Sequence, residues 1–183
     1  MTDYQTALDE LGAVFARLDD GAVDALVERI ATARRVVVFG GGRERLQIMG
    51  FAMRMFHMGL QASVEGDMTT PAVGKGDLLP VTCGPGWIST AEALMRVARA
   101  DGAGVALITA QPNGRCAPLA ESVLLLPAQT MADDQGAQAT SVLPMGSLFE
   151  GALFVLFEVM VLKLKARLNI SAEAMRANHT NLE

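Results

Sequence analysis

Two glycine turns gather the residues best suited to hold a ligand. Gly40, Gly41 and Gly42 run into Arg43 and Glu44, and Cys83, Gly84, Pro85 and Gly86 run into Trp87 and Ser89. Glycines at the end of an apolar strand allow a tight turn and close backbone approach, and the helix that follows aims its first N–H groups at an anionic or polyhydroxylated ligand. Thr69 and Thr70, in the polar loop Gly66 to Pro71, offer hydroxyls to a ligand or to the backbone. Trp87 is a sugar platform or part of a subunit contact. Glu150 falls at the start of a helix, where a carboxylate is favoured by the helix dipole whether or not it reacts.

Several chemistries are excluded by spacing. Arg45 stands where a dinucleotide-binding G-x-G-x-x-G needs its last glycine, and the chain has no G-x-x-x-x-G-K-[ST], C-x-x-C or G-x-S-x-G. His57 and His179 are the only histidines. No zinc site is therefore expected. His57 reads as a packed or capping residue on an apolar helix, the methionines as core filler, and Cys83 as packing at a strand end.

The elements that must position these residues follow from periodicity. Tyr4 to Leu18 and Ala22 to Ala33 show helical spacing of apolar residues. Val36 to Phe39 is an unbroken apolar run, as in a strand covered on both faces. Glu44 to Met58 predicts a helix with Leu46, Met49, Ala52, Met53 and Phe56 on its apolar face, ending at Gly59. Strands are expected at Gln61 to Val64, Asp77 to Thr82, Gly104 to Thr109 and Ser122 to Leu126, although Pro80 removes a ladder donor from the second of these. A helix begins at Ser89 or Thr90, and a helix-sized polar segment separates the last two strands. This βαβ alternation predicts an α/β fold with a parallel, doubly wound sheet of flavodoxin-like type and the ligand at the carboxyl ends of its strands.

Thr130 to Ser141 is polar, a surface loop or mobile cover, and Ser147 to about Leu168 is a helix apolar around nearly its whole circumference. Its longest uncharged run, Gly151 to Phe157, is far short of the roughly 20 residues a bilayer span needs, so burial against the sheet and a second subunit is expected instead. The 183 residues suit one domain: N-terminal helices over 1–33, an α/β core over 34–128, a loop over 129–146, and C-terminal helices and tail over 147–183. A net charge of -5 without basic clusters argues against nucleic acid or membrane as a partner. Two cysteines and an acidic N-terminus without a signal-peptide pattern point to the cytoplasm.

The segments FGGGRERLQIMGFAMRMFHMGL, GDMTTP, GDLLPVTCGPGWIST, LPMGSLFE and NHTNLE resemble, in order and spacing, the 6-phospho-3-hexuloisomerases of the sugar isomerase (SIS) domain family. The resemblance covers about residues 34–183. It implies a five-stranded parallel sheet between helices, a homotetramer or homodimer with the site near a subunit interface, and no metal or organic cofactor. The implied activity is interconversion of 3-hexulose 6-phosphate and fructose 6-phosphate. Glu150 matches the family carboxylate that moves a proton between adjacent carbons through an enediol, and His179 matches the histidine that assists ring opening, from its own or a neighbouring subunit. Gly41, Gly42, Arg43, Glu44, Thr70, Cys83, Gly84, Gly86, Trp87 and Ser89 match the substrate-binding segments.

The chain departs from that pattern at the phosphate. The family reads G-x-G-R-S after the first strand and S-G-S-G-[ER]-T after the third, whereas Glu44, Cys83, Pro85 and Ile88 replace four hydroxyl residues here. A carboxylate about 4 Å from one phosphate charge costs roughly 4 kcal/mol at an effective dielectric near 20. Three readings follow: a phosphohexulose isomerase with a rebuilt cradle, an isomerase of another, unphosphorylated sugar, and a sugar-binding protein without catalysis. Retained Glu150 and His179 favour the first two.

Overall fold

The computed structural model describes residues 2–182; Met1 and Glu183, which end the first and last predicted segments, lie outside the described residues. Two capped helices come first. α1 (Asp3–Phe15) starts where the Thr2 hydroxyl accepts from the Gln5 N–H, and α2 (Asp20–Thr32) where the Asp19 carboxylate accepts from Gly21 and Ala22. Then follow β1 (Val36–Gly40), α3 (Glu44–His57), β2 (Ala62–Val64), β3 (Leu78–Thr82), α4 (Ser89–Ala100), β4 (Gly104–Thr109) and β5 (Ser122–Leu125). α5 (Ser147–Leu168) ends at Asn169, whose left-handed conformation (φ 53°) closes the helix, and α6 (Ala172–Ala177) completes the chain.

The five strands form one parallel sheet in the order β2-β1-β3-β4-β5, as expected. Alternate residues of the strands feed two cores. Val36, Val38, Leu78, Ala106 and Ile108 pack with α2, α3 and α5 on one face, while Val37, Leu79, Val81, Val105 and Leu107 pack with Ala91, Met95 and Ala98 of α4 on the other. Burial on both faces explains the continuous apolar strands.

Two sequence expectations are corrected, the helix-sized segment between β4 and β5 and the apolar face of α3, whereas the strand that carries Pro80 forms as expected. Pro80 sits in β3, the central strand: the β3–β4 ladder runs unbroken from Leu78 to Thr82, whereas the β1–β3 ladder has no pair at Pro80, so the missing N–H falls on the β1 side. The segment between β4 and β5 is not a helix but a loop with one 3-10 turn, Ala117–Leu119, and β2 reaches β3 through a loop without a helix. On α3 the predicted apolar face is largely the outer one. Leu46, Met49, Met53 and Phe56 are exposed, while Ile48, Phe51, Ala52 and Met55 fill the core. α5 is likewise covered only in part, with Phe154, Val155, Val159 and Leu162 left open.

The two long helices meet at a ring stack: Phe51 of α3 and Phe157 of α5 lie 4.7 Å apart with planes 4° from parallel. Both are buried. Replacing Phe157 with Ala removes the stack and leaves a cavity, and about 3–5 kcal/mol of stability should be lost, read as a shift in the urea unfolding midpoint.

Candidate active site

β1 and β3 are neighbours in the sheet, yet their following helices leave to opposite faces, so the strand order reverses between them. Such a switch point opens a crevice at the carboxyl ends of the strands. Both glycine turns lie there. A cleft of about 320 Å³ is lined by Gly41, Gly42, Arg43 and Glu44 after β1, by Pro85 and Ile88 after β3, by Thr130 and Met131, and by Gly146, Phe149 and Glu150 at the start of α5.

Two carboxyls share this cleft. Glu44, in the first turn of α3, is 8% exposed, and its Oε1 accepts the Gly84 N–H at 2.9 Å. The approach at Gly84 is close, because a Cβ there would come to 3.0 Å from Glu44 Oε1, Phe149 Cδ1 and Thr130 Cγ2 and would push these side chains back. Its Oε2 is buried without a hydrogen bond, as is the Thr82 hydroxyl. Burial pushes the Glu44 carboxyl up from an ordinary 4.5 to about 7; the Gly84 N–H and the nearby Thr82 hydroxyl pull the other way, and the charge of Glu150 adds to the rise. Glu150, one turn into α5, faces Arg43 instead, with Nη2 and Oε2 3.1 Å apart, and Arg43 also reaches the Ser147 hydroxyl at 3.3 Å. One carboxylate is thus held by a cation and the other is poised to carry a proton near neutrality.

No protein-family model matches the chain. It is, however, 37% identical over 175 residues to the 3-hexulose-6-phosphate isomerase of Mycobacterium gastri, covering 96% of this chain and 87% of that one. The protein belongs to the 3-hexulose-6-phosphate isomerase family. A second member, from Methylomonas aminofaciens, is 32% identical over the whole of both chains. The fold matches a Methanococcus jannaschii crystal structure from which a 3-hexulose-6-phosphate isomerase function was inferred, with a TM-score of 0.86, 24% identity and full coverage of both chains.

Against that family, the predicted site residues divide. Gly41, Gly42, Arg43, Glu44, Gly84 and Glu150 meet at the cleft. Cys83 is fully buried beside Cys116 on the α4 face, and burial pushes its thiol well above the ordinary range, so its side chain belongs to the core rather than to a ligand. Gly86 is required by packing, since φ is 79° and a Cβ would strike Gln111 and Gly114. Trp87 does not line the cleft: its Nε1–H donates to Glu92 at 2.6 Å and the Arg115 guanidinium lies over its ring at 4.5 Å. Ser89 is exposed in the first turn of α4, outside the cleft, and the Thr70 hydroxyl is spent on the Val64 carbonyl at 2.6 Å.

His179 lies elsewhere. Its ring is 5.1 Å from that of His57, and the Asn178 side chain donates to the His57 carbonyl at 3.0 Å. His57 ends α3 and Glu44 begins it, so this histidine stands roughly 20 Å along the helix from the cleft. Thr130, Met131, Gly146 and Phe149 escaped sequence reasoning. The only signal was the polar segment after β5, which is tied down: Gln129 Oε1 accepts from the Thr140 and Ser141 N–H groups at 2.6 and 3.0 Å, and Asp133 caps Thr130. Among the described residues, no group of three His, Cys, Asp or Glu side chains is placed to hold a metal.

The raised Glu44 carboxyl makes stability depend on pH. Unfolded, the group loses its proton near 4.5; folded, it keeps it to about 7. The folded state binds more protons between these values, so stability falls as pH rises through that window, by about 3 kcal/mol in all. The Glu44→Gln variant should be close to wild type at pH 4 and more stable by an amount of that order at pH 8, measured by urea unfolding at both pH values.

Proposed function

We propose that this protein is a sugar-phosphate isomerase that interconverts two ketoses, 3-hexulose 6-phosphate and fructose 6-phosphate, by the enediol chemistry of aldose-ketose isomerases. The observation that carries the reading is the placement of Glu150, a carboxylate at the edge of the family's cleft with a cation 3.1 Å away. The C2 proton of the 3-hexulose passes to the Glu150 carboxylate, which leaves a 2,3-enediolate. The oxygen at C3 gains a proton as the one at C2 loses its own, and Glu150 returns its proton to C3. The carbonyl has then moved one carbon along with no net change in atoms. Arg43 offsets the charge of Glu150 before substrate arrives and of the enediolate afterwards.

A second reading, isomerisation of an unphosphorylated ketose, is favoured by the side chains around the first glycine turn. Ile88 Cδ1 presses on Gly41 and the Glu44 carboxyl takes the Gly84 N–H, both in the place of hydroxyl residues. Incubation in deuterated water separates the readings. Fructose 6-phosphate should acquire deuterium at C3 and free fructose should not, and Glu150→Gln should slow the exchange by 10²–10⁴-fold. Undiminished exchange in that variant, or exchange with neither sugar, would sink the mechanism.

The same reading includes a second copy of the chain. The exposed rows Leu46, Met49, Met53 and Phe56 on α3 and Phe154, Val155, Val159 and Leu162 on α5 lie on adjacent helices, more apolar surface than a lone chain leaves to water. We assign His179 of the partner subunit to ring opening at the cleft, because the chain's own His179 is at the far end of α3. Wild type should sediment as a dimer or tetramer, and Phe56→Glu should shift it toward monomer with loss of exchange activity. A cytoplasmic location fits two buried, unpaired thiols and the metabolic substrate.

A further inference from the structure

The mechanism above leaves Glu44 without a task. α3 is a 14-residue helix whose first turn opens on the cleft, at the point in the sheet where an anion is best received. The Gly84 N–H points into the same space, but it donates to Glu44 Oε1 rather than to a ligand. The second carboxyl oxygen is buried with no hydrogen bond. Of the two cations that flank Glu44 in the sequence, Arg43 is engaged by Glu150 and Arg45 by Glu65. A side chain more than nine-tenths buried therefore lies, with an unmet acceptor, in the seat that the helix dipole and a backbone donor create for a negative group.

We propose that Glu44 occupies the anion seat of the cleft with its own carboxylate, so that a phosphoryl group enters that seat only as Glu44 takes up a proton. Glu44 is then the specificity-determining residue of the site. It admits a phosphosugar at the expense of one bound proton and lets a neutral sugar compete as pH rises. The inference rests on the phosphosugar reading for its substrate, not for its physics: dianion and carboxylate cannot share one desolvated donor set without a cost of several kcal/mol at contact distance. The groups that face Glu44 are few. Glu150 approaches from α5 with Arg43 beside it, and the charge of Glu150 favours the protonated form of Glu44. The Cys83 thiol, just past the end of β3, is held neutral by burial, and Thr82, Ile88 and Thr130 carry no charge. Glu44 itself titrates near pH 7, so the exchange falls within the range in which an enzyme works.

Calorimetry tests this on the intact protein. Phosphate esters lose their second proton near pH 6 and inorganic phosphate about one unit higher, so titrations of the ester between pH 7.5 and 9, and of inorganic phosphate between pH 8.5 and 9, isolate the protein's contribution. Fructose 6-phosphate and inorganic phosphate are titrated in buffers of different ionisation enthalpy. Wild type should take up close to one proton per anion bound, with the dissociation constant rising toward tenfold per pH unit, while fructose binding stays flat. In Glu44→Gln the uptake should vanish and the anion should bind more tightly at pH 8 by about tenfold. Absence of uptake in wild type, or uptake that persists in the variant, would overturn the proposal, and the wild-type measurement stands even if the variant does not fold. Deuterium exchange run alongside keeps the two claims apart. Exchange without proton uptake removes this inference and leaves the isomerase, whereas phosphate-linked uptake without exchange removes the isomerase and leaves Glu44 in its role.

Discussion

The hydrogen bond between Glu44 and the Gly84 N–H joins the first turn of α3 to the end of β3 across the switch point of the sheet. It sets the shape of the cleft. With the carboxyl pinned there, a Cβ on Gly84 would be crowded, Phe149 and Thr130 close around it, and the first turn of α5 is drawn up to the mouth. A serine at position 44 would be too short to make the contact, and the two turns would be free to hold something else.

Charge in the cleft is unequal by construction. Two carboxyls and one arginine line it, and the arginine stands with Glu150. Coulomb attraction holds Glu150 beside Arg43, whereas Glu44 meets burial with a single backbone donor and relieves the cost by keeping its proton. Two carboxyls thus acquire different protonation behaviour from environment alone, a division of labour common in acid–base sites. The partner of each follows from helix geometry: Arg43 ends its turn pointing outward at 67% side-chain exposure, and Glu44, one residue on, points inward.

Much of the architecture was legible in the sequence. The five parallel strands, the turns between them and the limits of α4 and α5 follow from apolar runs bounded by glycines and caps. The misreadings have different causes: the polar segment between β4 and β5 is long enough for a helix but folds as a loop with one 3-10 turn, and α3 carries more apolar residues than one face can use. Periodicity finds a stripe but cannot say which of two stripes meets the sheet, and on α3 it selected the outer row through Leu46, Met49, Met53 and Phe56. The strand that carries Pro80 was expected and forms. A residue disfavoured within sheets is tolerated in the central strand because only its β1 side lacks a donor.

By itself the sequence determined the fold class, the family and the two glycine turns at the carboxyl ends of β1 and β3, because these depend on residue order and on local backbone chemistry. Tertiary structure alone decided what each side chain does at those turns. Cys83, Gly86, Trp87, Ser89 and Thr70 sit in matching segments, yet point to core, loop, surface or backbone partners, since orientation depends on neighbours distant in the chain. Glu44 is the sharpest case. In sequence it is a charge set against a phosphate, and in the folded protein it is a buried, hydrogen-bonded carboxyl whose charge is conditional, because only packing against Gly84, Thr82 and Phe149 removes the water that would keep it ionised.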